Sequence, residues 1–329
     1  MNAPEENRAG PVLAICGGVG GAKLALGLYN VLGPDRLTVV VNTGDDFEHL
    51  GFHISPDLDT VTYTLAGLAN PETGWGRADE TWSFMAALEA LGGEGWFRLG
   101  DSDLATHVER TRRLRAGEPL SRIAMDFTAR LGIRARIVPM SDDPVRTVVH
   151  TQGGDLPFQH YFVKLRCVPA VTGFSFVGAA TAKPHPMFLS TLRAADLDLV
   201  VICPSNPYLS VDPILALPGV RQALDDCAGP VVAVSPIVGG QTIKGPAAKI
   251  MAELDISPTA AAVARHYDGL LDGFVLDAVD TGQAAAIALP TLATDTVMRS
   301  LADREALARK ILAFAAELRC RSLAARSAG

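Results

Sequence analysis

The sequence lacks the marks of several protein classes. Aromatic residues make up only 6% of the 329 residues, and the five cysteines include no CxxC pair, so neither a zinc site nor a disulfide framework is indicated. The net charge is −7, whereas nucleic-acid binders usually carry a basic face, so no nucleic-acid partner is expected. Met1 to Pro11 lacks the apolar core of a signal peptide, and no apolar run is long enough to cross a membrane. We therefore expect a cytoplasmic protein that does not bind membranes.

Apolar residues are abundant and fall into strand and helix patterns. Hydrophobic residues reach 48%, with many Ala, Leu and Val, which is typical of helices stacked on buried parallel strands. The runs Val12–Cys16 and Leu37–Val41 predict the first two strands, with a helix over Lys23–Leu32 between them. The pattern predicts one α/β domain over residues 11–329, a Rossmann-like parallel sheet with helices on both faces. Residues 1–10 are polar and are predicted to be flexible.

A long stretch after the second strand has mainly helical periodicity. Gly51–Asp59 is predicted to be a loop, followed by a helix near Thr60–Leu68. Helical patterns then cover Ser83–Leu91, Ser102–Arg115 and Leu120–Leu131. They predict an inserted, mainly helical lobe at about residues 70–132. Its arginine run favours a solvated helix face, with a ligand-facing role as the alternative; the run comprises Arg110, Arg112, Arg113 and Arg115, beside Glu109 and Glu118.

The remainder of the chain predicts a β excursion and then more α/β structure. The excursion has strands at Ala135–Pro139, Val145–Thr151 and His160–Val163, the last two separated by a turn. Further parallel strands are predicted at Leu197–Cys203, Val231–Ser235 and Gly273–Leu276, and a C-terminal helix over Arg304–Leu318.

The sharpest motif is the glycine run between the first strand and the first helix. Glycine lets backbone N–H groups approach an anion, and a helix N-terminus favours negative charge, so the run predicts a phosphate site. The predicted nucleotide-binding residues are Gly17, Gly18, Gly20, Gly21 and Lys23. The run lacks the third glycine of the dinucleotide fingerprint and the spacing of a P-loop, so neither motif class fits. A tight strand-to-helix turn without a ligand is the alternative.

Carboxylates follow the second predicted strand. Asp45 and Asp46 come directly after it, and Asp57 and Asp59 follow within the next loop. Because ligands bind at the carboxyl edge of parallel sheets and Mg²⁺ prefers oxygen ligands, these acids predict a magnesium site near the phosphates. Taken singly they are more often turn residues or helix caps, and Asp57 is well placed to cap the helix predicted near Thr60.

Two later loops occupy the same topological position. Ser205 and Asn206 follow one predicted strand, and Ser235 and Gly239 follow the next. Small polar residues at this edge suit contacts with a nucleotide, although each loop alone resembles an ordinary β-to-α turn. His107 lies in a dense polar motif, but a lone histidine is usually structural, and it is assigned no catalytic role. No Gly-x-Ser-x-Gly nucleophile elbow is present.

Taken together, the motifs resemble the 2-phospho-L-lactate transferase family of coenzyme F420 biosynthesis. The resemblance runs in order from Leu13 to Thr296. It is carried by Cys16–Leu24, Asn42–Asp46, Ile54–Val61, Leu99–Asp103, Pro139–Val145, Pro204–Pro207, Ala233–Ile237 and Lys244–Ala247.

The resemblance implies a reaction and a set of site residues. Such an enzyme moves a phospho-organic acid from a guanosine-diphosphate-linked donor to the ribityl hydroxyl of the deazaflavin Fo, releases GMP and requires Mg²⁺. The acid stays open among 2-phospho-L-lactate, phosphoenolpyruvate and 3-phosphoglycerate. Asp59 and Arg98 are implied to contact Fo, and Asp59 is placed to take the hydroxyl proton. Asp45 and Asp57 are the metal candidates, and the family implies a homodimer.

Three further interpretations remain. Trp75 and Trp82 offer stacking surfaces for a flat ring or pack a lid. A related family of gluconeogenesis-factor proteins shares the glycine loop, which leaves a non-enzymatic nucleotide-sugar-binding regulator as the alternative; the Leu99–His107 and Pro139–Val145 motifs favour the transferase. An NAD-dependent oxidoreductase is a third class, and the missing third glycine counts against it.

Overall fold

A computed structural model describes residues 9–33 and 35–327. The strands are β1 (Val12–Cys16), β2 (Leu37–Val41), β3 (Phe47–His49), β4 (Phe52–Ile54), β5 (Arg136–Pro139), β6 (Arg146–Thr151), β7 (Gly154–Pro157), β8 (Val171–Val177), β9 (Leu199–Ile202), β10 (Val231–Val234), β11 (Ile237–Val238), β12 (Gln241–Thr242), β13 (Gly273–Asp277) and β14 (Thr291–Thr294). The predicted flexible segment, residues 1–10, lies outside the described residues apart from Ala9 and Gly10.

The α-helices surround this set of strands. They are α1 (Gly18–Val31), α2 (Pro56–Leu65), α3 (Ser83–Ala90), α4 (Asp101–Arg115), α5 (Leu120–Arg130), α6 (Pro186–Leu192), α7 (Asp212–Leu215), α8 (Val220–Asp225), α9 (Ala247–Glu253), α10 (Ala260–His266) and α11 (Leu301–Ser327). Helices α3 to α5 form the lobe between α2 and β5. No helix in the described part of the chain is long and apolar enough to cross a membrane.

Seven strands form one parallel sheet in the order β14-β13-β10-β9-β1-β2-β5. The chain builds outwards from β1 to β2 and β5 on one side, and from β9 to β14 on the other. The order therefore reverses between β1 and β9, and the loops after these two strands diverge around a crevice. Such a switch point is where open α/β sheets bind ligands.

Both faces of the sheet are covered by helices. In β1, Leu13 and Ile15 point into one hydrophobic core, while Val12, Ala14 and Cys16 point into the other. The first core contains apolar residues of α6 to α10, and the second contains those of α1, α2, α5 and α11. Strands that are buried on both faces have continuous apolar runs in the sequence, and for this reason the predicted bounds of β1 and β2 match the observed ones. The Rossmann-like α/β prediction is confirmed.

Helix α1 begins earlier than the sequence predicted. It starts at Gly18, inside the glycine run, rather than at Lys23. A Cβ at Gly20 would lie 2.4 Å from the carbonyl oxygen of Pro204, so the first turn packs against the loop after β9 too closely for a side chain. Gly18 has φ of 63°, which glycine adopts without strain.

Helix α2 also begins before its predicted start, and the expectation of a loop over Gly51–Asp59 was wrong. The segment contains β4, which forms a short hairpin with the preceding β3, and α2 then starts at Pro56. Proline suits the first helical turn because its missing N–H has no intrahelical acceptor there. Asp57 and Asp59 consequently lie in the first turn of α2. Asp57 does not cap this helix but accepts a hydrogen bond from the N–H of Gly18 at 2.8 Å.

The β excursion differs from its prediction. His160–Lys164 forms a short π-helical turn instead of a strand, with Tyr161 buried. The predicted strand at Ala135–Pro139 is β5 of the parallel sheet, so the excursion is the three-stranded sheet β7-β6-β8. Its β7 lies in the predicted turn, and the sequence analysis missed β8. The strand propensity of Tyr-Phe-Val is here overridden by tertiary packing.

Candidate active site

A cavity of about 700 Å³ opens at the carboxyl ends of β1 and β9. Its lining comes from the glycine run, the first turn of α2, the lobe, and the loops after β9 and β10. The core and the lobe therefore both contribute to its lining. This volume lies within the range that holds small-molecule ligands.

The cavity brings together eleven of the thirteen residues predicted for the site. They are Gly17, Gly18, Gly20, Lys23, Asp45, Asp57, Asp59, Arg98, Ser205, Asn206 and Ser235. Gly21 does not line it, and a Cβ there would meet Ser205 Oγ at 2.5 Å and Cys16 Sγ of β1 at 2.7 Å. Gly239 lies in the turn between β11 and β12, where its N–H donates to Asp280 at 2.9 Å. Their roles in binding stay predictions.

The glycine run is fixed by groups from two distant segments. Ser205 Oγ accepts from the N–H of Gly17 at 3.1 Å and donates to its carbonyl oxygen at 2.7 Å. Asp57 holds the N–H of Gly18. The first N–H groups of a helix have no intrahelical acceptor, and Val19 and Gly20, in the first turn of α1, line the cavity. This geometry suits a phosphate at the N-terminus of α1.

The loop after β9 presents an amide to the same space. Asn206 Oδ1 accepts from the N–H groups of Tyr208 at 3.1 Å and Leu209 at 3.3 Å. Its Nδ2 is buried and has no hydrogen-bond partner among the described residues. Since a buried donor without a partner is costly, this amide is suited to an acceptor on a ligand. The hydroxyl of Ser235, in contrast, is bonded within its own turn to Ile237.

Asp45 and Asp57 form a pair of buried carboxylates. Burial, and then the charge of Asp57, raises the pKa of Asp45 well above its usual value. Burial raises the pKa of Asp57 to about 6, against hydrogen bonds from Asn42 and the N–H of Gly18. Asp45 Oδ1 is buried without a partner among the described residues. An unpartnered oxygen beside a second carboxylate fits a divalent cation, which would relieve both the repulsion and the missing contact.

Asp59 is held in a network of charged groups from the lobe. The guanidinium of Arg110 pairs with both of its oxygens, with Nη1 at 3.0 Å from Oδ2. Burial raises the pKa of Asp59, and the Arg110 and His107 charges oppose that shift. Nδ1 of His107 lies 3.8 Å from Asp59, and its Nε2 lies 3.2 Å from Asp103. Tyr63 places its hydroxyl 2.7 Å from Asp103.

Sequence reasoning missed most of this network. The solvated-face interpretation is wrong for Arg110 and Arg113, which are buried, although Arg112 and Arg115 are exposed. A signal was available, because helical spacing places Asp103, His107 and Arg110 on one face of α4.

Arg98 lies at the lobe side of the cavity. Its guanidinium stacks over the ring of Trp82 at 4.3 Å from the ring centre. Trp82 therefore supports Arg98 rather than lining the cavity, whereas Trp75 lines the cavity and is 54% exposed. An exposed aromatic ring beside a held cation suits a flat ligand that carries negative charge.

Comparison with known proteins shows the family to which the chain belongs. A family model described as 2-phospho-L-lactate transferase CofD matches residues 12–317. The chain belongs to this family. A Streptomyces griseus relative named phosphoenolpyruvate transferase is 44% identical over 317 residues, covering 94% of this chain and 99% of its own. Relatives with the same name from Streptomyces coelicolor and from Mycobacterium sp. strain KMS are 41% and 39% identical, covering 94% and 86% of this chain and 99% and 94% of their own.

The transferase fold is shared with more distant proteins. A crystal structure of a Bacillus halodurans protein of the UPF0052 family aligns with a TM-score of 0.62 over 93% of this chain and 99% of that one. The two sequences are 16% identical, so this similarity concerns the fold alone.

Proposed function

We propose that this transferase acts in coenzyme F420 biosynthesis and moves a phosphoenolpyruvyl unit from a guanosine-diphosphate-linked donor to the ribityl hydroxyl of Fo, releasing GMP. The family match over residues 12–317 carries the proposal. Among the three acids that the sequence left open, phosphoenolpyruvate is supported by the names of relatives up to 44% identical.

The two walls of the cavity divide the substrates between them. The guanosine diphosphate part binds along the glycine run, with Lys23 and the amide of Asn206 close to its phosphates. Fo lies on the lobe side, where Arg98 and Trp75 meet its ring and Asp59 meets the hydroxyl. Asp45 and Asp57 would hold Mg²⁺, which when bound would supply positive charge to the phosphates.

Residues of the chain assist the nucleophilic attack of the Fo hydroxyl on phosphorus. The Fo hydroxyl oxygen forms a bond to the phosphorus that carries the acid, and the bond from that phosphorus to the GMP oxygen breaks, leaving the electron pair on GMP. Asp59, oriented by Arg110, takes the proton from the hydroxyl. Lys23 offsets charge near the leaving group.

The experiment is a donor comparison. The purified protein is incubated with Fo, Mg²⁺ and each of the three guanosine-diphosphate-linked acids, and products are followed by mass spectrometry. We expect a phosphoenolpyruvyl adduct of Fo together with GMP, and no product from Asp59→Asn. A different adduct would correct the acid. No product with any donor would favour the nucleotide-binding regulator. The same preparation, run through analytical ultracentrifugation, tests the homodimer that we propose for this family member.

A further inference from the structure

The segment Lys244–Ala247, between β12 and α9, has no part in the reaction described above. All of its residues line the main cavity, so the segment faces the space in which the substrates are proposed to bind. Its first residue, Lys244, brings a positive charge to that lining. This charge therefore lies in the site without an assigned ligand.

Lys244 lies where the core meets the lobe. Its ammonium nitrogen donates to the backbone carbonyl oxygens of Glu72 at 3.2 Å and Thr73 at 2.5 Å, in the loop that precedes α3. The next residue of that loop packs on the first turn of α1, because a Cβ at Gly74 would lie 2.6 Å from Cγ1 of Val19 and 3.3 Å from Nζ of Lys244. Lys244 is therefore located between the glycine run and the lobe.

Lys23 places a second positive charge near Lys244. It follows Val19 by four residues in α1, so both side chains lie on the same face of this helix. Its ammonium nitrogen donates to the carbonyl oxygen of Met298 at 3.0 Å. Burial, and then the charges of Arg304 and Lys244, lowers the pKa of Lys23. The two lysines are thus close enough for the charge of one to act on the other.

Neither ammonium group has an acidic partner in the part of the chain that the structure describes. The ion pairs there include neither Lys23 nor Lys244, whereas Lys249 pairs with Glu253. An ammonium group has three N–H donors, and carbonyl oxygens occupy two on Lys244 and one on Lys23, so both keep a donor for a ligand. Since two neighbouring cations repel each other, an anion bound beside them would stabilise both.

The donor of the proposed reaction has two kinds of anionic group, the phosphates and the carboxylate of the three-carbon acid. The phosphates already have proposed partners in the N-terminus of α1, Lys23 and Mg²⁺. The acid is bonded to the phosphorus that is transferred, and this phosphorus must lie between GMP on the glycine run and the hydroxyl on the lobe side. Lys244 lies at that same boundary, and the carboxylate is the anion that still lacks a partner.

We propose that Lys244 binds the carboxylate of the three-carbon acid and thereby positions the transferred group between the glycine run and the lobe. This role rests on the proposed function. The ammonium group donates to the carboxylate, and Lys23 adds its charge from α1. Because Lys244 also holds the carbonyl oxygens of Glu72 and Thr73, the bound carboxylate joins the core and the lobe around the donor. Lys244 then selects donors that carry an acid against donors that lack one.

The test compares three ligands that differ at the carboxylate. They are GDP, the guanosine-diphosphate-linked phosphoenolpyruvate donor, and the methyl ester of that donor, in which the carboxylate charge is removed. Their Kd values are measured by calorimetry with Mg²⁺ and without Fo. Wild type should bind the ester on the order of 10-fold more weakly than the donor, because a charged hydrogen bond is lost. Lys244→Gln should bind the donor on the order of 10-fold more weakly than wild type does, and should bind GDP and the ester as wild type does.

Two further variants serve as controls. Lys249→Gln is the matched one, because Lys249 lies in α9, pairs with Glu253 and does not line the cavity, so all three ligands should bind as to wild type. Lys244→Arg keeps the charge and should bind the donor more tightly than Lys244→Gln does. Thermal melting checks that each variant is folded.

The possible outcomes separate this role from its alternatives. An equal loss of GDP and donor affinity in Lys244→Gln would place Lys244 at the phosphates and overturn the proposal. An equal loss of ester and donor affinity would show that Lys244 only fastens the lobe loop, and would overturn it as well. Wild-type turnover with Fo, together with unchanged donor affinity in Lys244→Gln, would refute this role alone. Wild-type protein that binds GDP but does not turn over the donor would refute the proposed function, and this role with it.

Discussion

The buried pair of Asp59 and Arg110 should contribute far more to stability than a neighbouring pair on the same helix. In Arg110→Met the carboxylate of Asp59 keeps its burial and loses its counter-charge. At the observed 3.0 Å and an effective dielectric constant of 20, the lost attraction is about 5 kcal/mol, and breaking buried pairs typically costs about 3–5 kcal/mol. Arg113 pairs with Glu118 and Asp126, which are 39% and 35% exposed, so Arg113→Met should cost about 1 kcal/mol or less.

The assay is urea unfolding followed by circular dichroism and tryptophan fluorescence, at pH 5 and pH 8. Burial already raises the folded-state pKa of Asp59, and loss of Arg110 should raise it further. An acid with a raised folded-state pKa contributes most to stability below its unfolded-state pKa, and this contribution is lost as pH rises through the folded-state pKa. The penalty of Arg110→Met should therefore be larger at pH 8 than at pH 5. A penalty no greater than that of Arg113→Met, or one independent of pH, would refute the reasoning.

Substitutions test three further features. Gly20→Ala should abolish GDP binding in calorimetry, because its Cβ would lie 2.4 Å from a carbonyl oxygen, whereas Gly33→Ala, with nothing within 4 Å, should bind normally. Burial raises the pKa of Asp57 from 3.8 to about 6, so its favourable contribution to the free energy of unfolding disappears as pH rises through that range. Wild-type protein should therefore lose up to about 3 kcal/mol more than Asp57→Asn between pH 4 and pH 6.5. An equal pH dependence of the free energy of unfolding in both proteins would show that Asp57 does not contribute it. Arg98→Ala should weaken Fo binding more than GDP binding, and Trp82→Leu should do so by a smaller factor; equal losses for both ligands would contradict the placement.

The sequence predicted the central sheet well and the lobe's chemistry poorly, for a physical reason. Strands such as Val12–Cys16 are buried on both faces, so their continuous apolar runs and flanking glycines are local signals. The burial of Arg110 depends on a carboxylate 51 residues away, and a charge run on a helix does not reveal which face is covered. The start of α2 at Pro56 was missed because its first turn is rich in polar residues that serve other segments, as Asp57 serves Gly18.

The site joins a widely shared fold to chemistry that comes from the lobe. The switch point between β1 and β9 brings Gly17 and Ser205 together across 188 residues, and any chain with this sheet order has such a crevice. A protein 16% identical shares the fold over 93% of this chain, so the crevice alone does not determine a reaction. What the lobe adds is one face of α4, whose Asp103, His107 and Arg110 surround Asp59. We therefore expect residues of α4 to control the removal of the proton from the acceptor. Substitutions in α4 should alter turnover while nucleotide binding at the glycine run persists.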